Sequence, residues 1–107
     1  MGEVRRGQIW LASFDGIGSE VKKPRPCIVV SPDVSNAKAA TFIVVPLTTQ
    51  DRPYPTRVRV ELNGRICFAV LDQIQVMSPL RLISRLDGQT PTDLARVLDR
   101  LGEIFAP

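Results

Sequence analysis

The pair Asn63-Gly64 constrains this chain more than any other feature. Before it, Arg57, Arg59 and Glu61 alternate with Val58, Val60 and Leu62, the period of a half-buried antiparallel strand. After it, an apolar run passes through Cys67 to Leu71. Asn-Gly accepts the positive φ angles of a two-residue hairpin turn, so the middle of the chain must fold back on itself. A chain built around that hairpin is expected to be an antiparallel β structure.

The flanking segments agree. Gln8 to Phe14 reads as a first strand, and Asp15 to Pro24 as a long polar loop holding Gly16, Gly18 and Ser19. Pro26 to Ser31 is nearly continuous in apolar residues, as expected of a central strand covered on both faces. Pro32 to Lys38 supplies turn residues and room for one helical turn. Thr41 to Leu47 is a second candidate for a central strand, and Pro53 and Pro55 keep the segment Thr48 to Pro55 out of regular pairing. Gln73 to Met77 continues as a strand after Asp72, and Leu82 to Leu86 is the last one. Beyond it the period changes. Thr90-Pro91-Thr92-Asp93 reads as a helix start with proline in the first turn. Leu94, Val97, Leu98, Leu101, Ile104 and Phe105 then mark one amphipathic helix. Trp10, Phe14 and Phe105 are expected in or near the core. The fold class is mainly β with a C-terminal helix, a small antiparallel barrel or curled sheet.

Composition narrows the chemistry. The 107 residues fit one domain with its own core. No apolar run reaches the ~18 residues of a membrane span, and no apolar stretch follows Arg5 and Arg6 as in a secretory signal, so the expected location is the cytoplasm. The chain has no histidine. That removes Ser-His-Asp triads and two-histidine acid–base cycles, and two cysteines alone make no ordinary zinc site. No metal or cofactor is expected. Cys27 and Cys67 sit in apolar runs and read as buried free thiols; one disulfide is allowed by count but disfavoured in a reducing compartment. Net charge is +3, with ten basic against six acidic residues in 1–65 and four against five in 66–107. The basic half suits an anionic partner, though the bias alone is weak.

Catalysis must therefore come from Arg, Lys, Asp, Glu, Ser, Thr or Tyr. Three segments concentrate these types. Gly18-Ser19-Glu20-Val21-Lys22-Lys23-Pro24-Arg25-Pro26 puts three cations and a carboxylate ahead of a central strand, with prolines stiffening the backbone around Arg25. Read blandly it is a solvated loop. Thr48, Thr49 and Gln50 end a buried strand with two hydroxyls and an amide, which is also ordinary turn chemistry. Asp72 interrupts an apolar β run, either as a functional carboxylate or as a turn or bulge residue between two strands.

Together these segments resemble one family. Arg6-Gly7-Gln8-Ile9-Trp10-Leu11, Gly18-Ser19-Glu20 with Arg25-Pro26-Cys27-Ile28-Val29-Val30-Ser31-Pro32 and Asn36, Val45-Pro46-Leu47-Thr48-Thr49-Gln50 with Tyr54-Pro55, and Ala69-Val70-Leu71-Asp72-Gln73-Ile74 are similar to the blocks of the MazF/PemK toxin ribonucleases, in that family's order. The resemblance implies a single toxin domain over 1–107 with an SH3-like, CcdB–MazF-type barrel. It also implies a homodimer that cuts single-stranded RNA or mRNA without a metal, inhibiting translation and growth. The further partner it implies is a cognate antitoxin with an acidic, partly disordered tail; no membrane is involved. Arg25 and Thr48 match the family's catalytic pair. Glu20 and Asp72 are candidates to assist, and Ser19, Lys22, Lys23, Thr49, Gln50 and Gln73 to bind RNA. The Kid/PemK branch pairs its acid with an arginine two residues earlier, where this chain has Val70, so an Arg25–Thr48 mechanism is the better expectation. The alternative on the same fold is a CcdB-like toxin that binds DNA gyrase and cuts nothing.

Overall fold

The computed structural model describes residues 4–14, 24–86 and 91–107. Seven strands and two helices follow in order: β1 (Ile9–Ser13), β2 (Pro24–Val29), α1 (Asp33–Lys38), β3 (Phe42–Thr48), β4 (Arg57–Leu62), β5 (Arg65–Val70), β6 (Gln75–Met77), β7 (Leu82–Leu86) and α2 (Pro91–Phe105). The sheet order is β4-β5-β3-β2-β1-β7, β6 joins β3, and every pairing is antiparallel. The hairpin expected at Asn63-Gly64 is present, with φ of 52° and 79° at the two residues and Leu62 opposite Arg65.

The central strands owe their apolar runs to burial on both faces. Ile28 belongs to one apolar cluster with Ile9, Val45, Leu47, Val58, Val60 and Val97; Cys27 and Val29 belong to another with Trp10, Phe42, Val44 and Met77. The first cluster joins β4, at one end of the sheet, to Leu86 of β7 at the other. A flat sheet cannot bring its two end strands to one core, so this sheet curls around it. Helix α2 closes the open side along β4. Asp93 accepts the Glu61 N–H at 3.2 Å, and Arg96 donates to the Arg59 carbonyl at 2.6 Å. The helix thereby satisfies the outward polar groups of an edge strand.

Proline placement sets the strand limits. Ile43 donates its N–H to Ser31 Oγ and accepts from Val30 N–H, so odd-numbered residues of β3 face β2 and even-numbered ones face β5 and β6. Pro46 therefore lacks an N–H on the side where β3 changes partner, between the β6 pairs (Phe42 to Val44) and the β5 pairs (Leu47 and Thr48). There a 3₁₀ turn, Leu71–Gln73, interrupts the neighbouring strand, so the missing donor breaks no ladder bond.

Several expectations shift. β2 starts at Pro24 rather than Pro26, β3 runs from Phe42 to Thr48, and β6 begins at Gln75. Phe105 is 68% exposed rather than near the core. Its angular position suits the apolar stripe, but it is the final helical residue and no core residue covers it. The helix start at Thr90 and the loop residues up to Lys23 lie outside the described residues.

Both cysteines are free and buried. Burial pushes the Cys27 thiol up to about 12, against a smaller opposing effect of its backbone hydrogen bond with Trp10. Because the folded value is the higher one, this thiol favours the fold fully below its ordinary value of 9.0, and that contribution is lost as pH rises toward 12. Iodoacetamide at pH 8 is expected to leave Cys27 unlabelled in the native protein and to label it in urea; mass spectrometry of both samples checks this, and native labelling at the urea rate would contradict it.

Candidate active site

The site begins at the end of the sheet where β3 stops before β2 and β5 do. The last β2–β3 pair is Cys27 with Pro46. Carried two residues further, that register sets Arg25 directly opposite Thr48, on the same face of the sheet. The ladder does not continue there. Val30 donates to Ile43, so even-numbered residues of β2 turn toward β3, and Pro24 and Pro26 have no N–H to offer. On the other side, the β3–β5 ladder ends at Thr48 with Phe68, while β5 and its hairpin extend on to Ile66, Arg65 and Leu62. The missing continuation of β3 leaves an open cleft of about 520 Å³. Arg25 and Pro26 form one wall, and Leu62, Arg65, Ile66 and Cys67 the other. Leu47, Thr48, Thr49 and Gln50 lie at the end between them.

The side chains in the cleft are poised for an anion. Arg25 is exposed, and neither it nor Arg65 is tied to any other described residue. By contrast Arg6, Arg52, Arg57, Arg96 and Arg100 each hold a carbonyl or carboxylate oxygen. Two unspent guanidinium forks facing one cleft fit phosphate oxygens. Thr48 is half-buried, and its Oγ1 accepts the Gln50 N–H at 3.2 Å, which leaves its O–H to donate to a bound group. The cleft is partly apolar, through Leu47, Leu62, Ile66 and Pro26, so it suits a ligand with flat apolar faces as well as charge.

Of the residues singled out in the sequence, the structure brings together Arg25, Thr48, Thr49 and Gln50. Asp72 and Gln73 are exposed on the 3₁₀ turn between β5 and β6 and do not line the cleft. Ser19, Glu20, Lys22 and Lys23 lie outside the described residues. No carboxylate occurs among the described residues that line the cleft. Sequence reading missed Arg65, Ile66 and Leu62, although the hairpin register puts Arg65 and Ile66 at the start of β5 and Leu62 opposite Arg65 at the end of β4. Cys67, read from the sequence as a buried free thiol, also lines the cleft. That thiol is raised above its ordinary value, first by burial and then by the charge of Asp93.

The profile of PemK-like, MazF-like toxins of type II toxin–antitoxin systems matches residues 5–105. The chain belongs to this family. It is 31% identical over 109 residues to the endoribonuclease MazF9 of Mycobacterium tuberculosis, covering 92% of each chain. It is 36% identical over 67 residues to the endoribonuclease toxin MazF of Escherichia coli, covering 63% of this chain and 60% of that one. Among solved structures, a mycobacterial endoribonuclease in complex with its cognate antitoxin superposes with a TM-score of 0.80 at 24% identity over 97% of both chains. The fold of this MazF-like toxin is thus the expected one. With relatives named endoribonucleases, the gyrase-binding alternative is not favoured.

Proposed function

We propose that this MazF-like toxin is an endoribonuclease that cuts single-stranded RNA in the cleft lined by Arg25 and Thr48. The observation that carries the reading is that the two groups line one open cleft, one a cation bonded to no other described residue and the other a hydroxyl whose oxygen accepts the Gln50 N–H. In the proposed reaction the RNA 2′-oxygen attacks phosphorus, the P–O5′ bond breaks, and a 2′,3′-cyclic phosphate and a 5′-hydroxyl result. Arg25 clamps the phosphate as charge builds on it and donates a proton to the departing 5′-oxygen. A guanidinium has donors and no acceptor, so Arg25 serves as clamp and acid and the 2′-hydroxyl proton needs another acceptor. Thr48 orients the phosphate, and Thr49 and Gln50 bind RNA beside it. The 2′-hydroxyl proton is assigned to Glu20, five residues before Arg25 in the chain, in preference to Asp72 outside the cleft lining. Ser19, Lys22, Lys23 and Gln73 are the remaining candidate RNA contacts.

The toxin is proposed to act in the cytoplasm as a homodimer, with residues 1–107 working as one domain. The cross-strand pair Ile43 and Val76, 41% and 63% exposed, offers apolar surface for a second protomer to cover. An antitoxin with an acidic tail suits the +4 balance of residues 1–65. The test is incubation of the protein with a long single-stranded transcript, with and without EDTA, followed by end-group analysis. Specific cuts with 5′-hydroxyl ends at equal rates in both samples are expected. Intact RNA, or cleavage stopped by EDTA, would sink the proposal.

A further inference from the structure

The mechanism above leaves out Arg57, which the geometry ties to Thr48. Arg57 opens β4 and is half-buried. Its Nη1 donates to the Gln50 carbonyl at 2.6 Å, and its guanidinium carbon lies 5.7 Å from the Tyr54 ring centroid. Its Nε is buried without an acceptor, unique among the side-chain polar atoms of the described residues. An arginine that leaves a buried donor unsatisfied accepts a cost, so what its other nitrogens hold matters. What they hold is one side of Gln50. The other side, the Gln50 N–H, donates to Thr48 Oγ1 at 3.2 Å.

We infer that Arg57 is a positioning residue for Thr48, acting through the backbone of Gln50. No strand or helix covers residues 49–56, so the register of β3 does not fix Gln50. Its carbonyl is anchored to β4 by Arg57, and the turn is braced by the Arg57 N–H on the Tyr54 carbonyl at 3.0 Å. With Gln50 fixed, its N–H occupies an acceptor lone pair of the Thr48 hydroxyl and directs the O–H into the cleft. Without the anchor the hydroxyl turns among rotamers, and the donor reaches the phosphate only part of the time.

The inference rests on the proposed role of Thr48, and a double-mutant cycle keeps the two apart. Steady-state cleavage of a fluorogenic RNA oligonucleotide is compared for the wild type, Arg57→Ala, Arg57→Lys, Thr48→Ala and Arg57→Ala with Thr48→Ala. Arg57→Ala is expected to lower kcat about tenfold or more with KM within about threefold. Arg57→Lys, which keeps one donor toward the carbonyl, recovers much of the loss. In the Thr48→Ala background the Arg57→Ala change adds nothing further. Unchanged kcat in Arg57→Ala, a rise in KM alone, or losses that multiply in the double mutant would each overturn the inference. If Arg57→Ala unfolds, Arg57→Lys decides alone: an active, folded protein supports the anchor, and a folded protein as slow as Thr48→Ala contradicts it. A wild-type protein that cuts no RNA fails the proposed function instead, before Arg57 is in question.

Discussion

Arg25→Ala protein is expected to show no RNA cleavage in a gel assay, a fall in kcat of at least 10²–10³-fold, roughly 3–4 kcal/mol of transition-state stabilisation. The size follows from the charge involved. The phosphate gains negative charge as the 2′-oxygen attacks, and a guanidinium fork lining the same cleft as Thr48 meets that charge where it forms. The fold is expected to survive. Arg25 is exposed and bonded to no other described residue, so its removal leaves no buried group unpaired and changes stability by less than about 0.5 kcal/mol. Its oligomeric state on a sizing column is expected to match the wild type. Arg25→Lys is expected to rescue only partly, since an ammonium cannot grip two phosphate oxygens in one plane. Residual activity of Arg25→Ala within tenfold of the wild type would refute the assignment.

The largest stability effect is expected at Ile28. The register lines it up with Ile9 on β1 and Val45 on β3, a row across three strands inside the cluster that also takes in α2. Ile28 is 1% exposed, and backbone on both sides prevents the cavity left by alanine from collapsing. Ile28→Ala is therefore expected to cost about 2–5 kcal/mol, a large share of the ~5–15 kcal/mol typical of a whole domain. For a chain of this size that lowers Tm by about 10 °C or more. Ile28→Val, which leaves a smaller void, is expected to cost about 0.5–1.5 kcal/mol. Thermal unfolding by circular dichroism measures both. A drop of less than ~4 °C for Ile28→Ala would mean that this row is not the centre of the core.

How much of this was legible in the residues varies with the range of the interaction. The hairpin at Asn63-Gly64 was plain, because a turn is decided by its own two residues. The central strands and the C-terminal helix were plain as well, since burial on two faces, on one face, or along a stripe writes a distinct period into the sequence. Ends were less clear. Pro24 read as the end of a loop and Pro26 as the start of the strand, yet β2 already begins at Pro24, because the donors the two prolines lack point past the end of the β2–β3 ladder. Phe105 kept the helical period while lying past the residues that would cover it.

The sequence by itself determined the strands, the hairpin, the helix and the absence of histidine that turns the chemistry toward arginine and hydroxyl groups. Each of these depends on residue type and short-range spacing. Only the tertiary structure decided that Arg25 and Thr48 line one cleft together with Arg65 and Ile66. It alone decided that Asp93 closes an edge strand and that Arg57 reaches Gln50. These are relations between strands far apart in the chain, set by register and by where a ladder stops, and no local pattern encodes where a neighbouring strand will end.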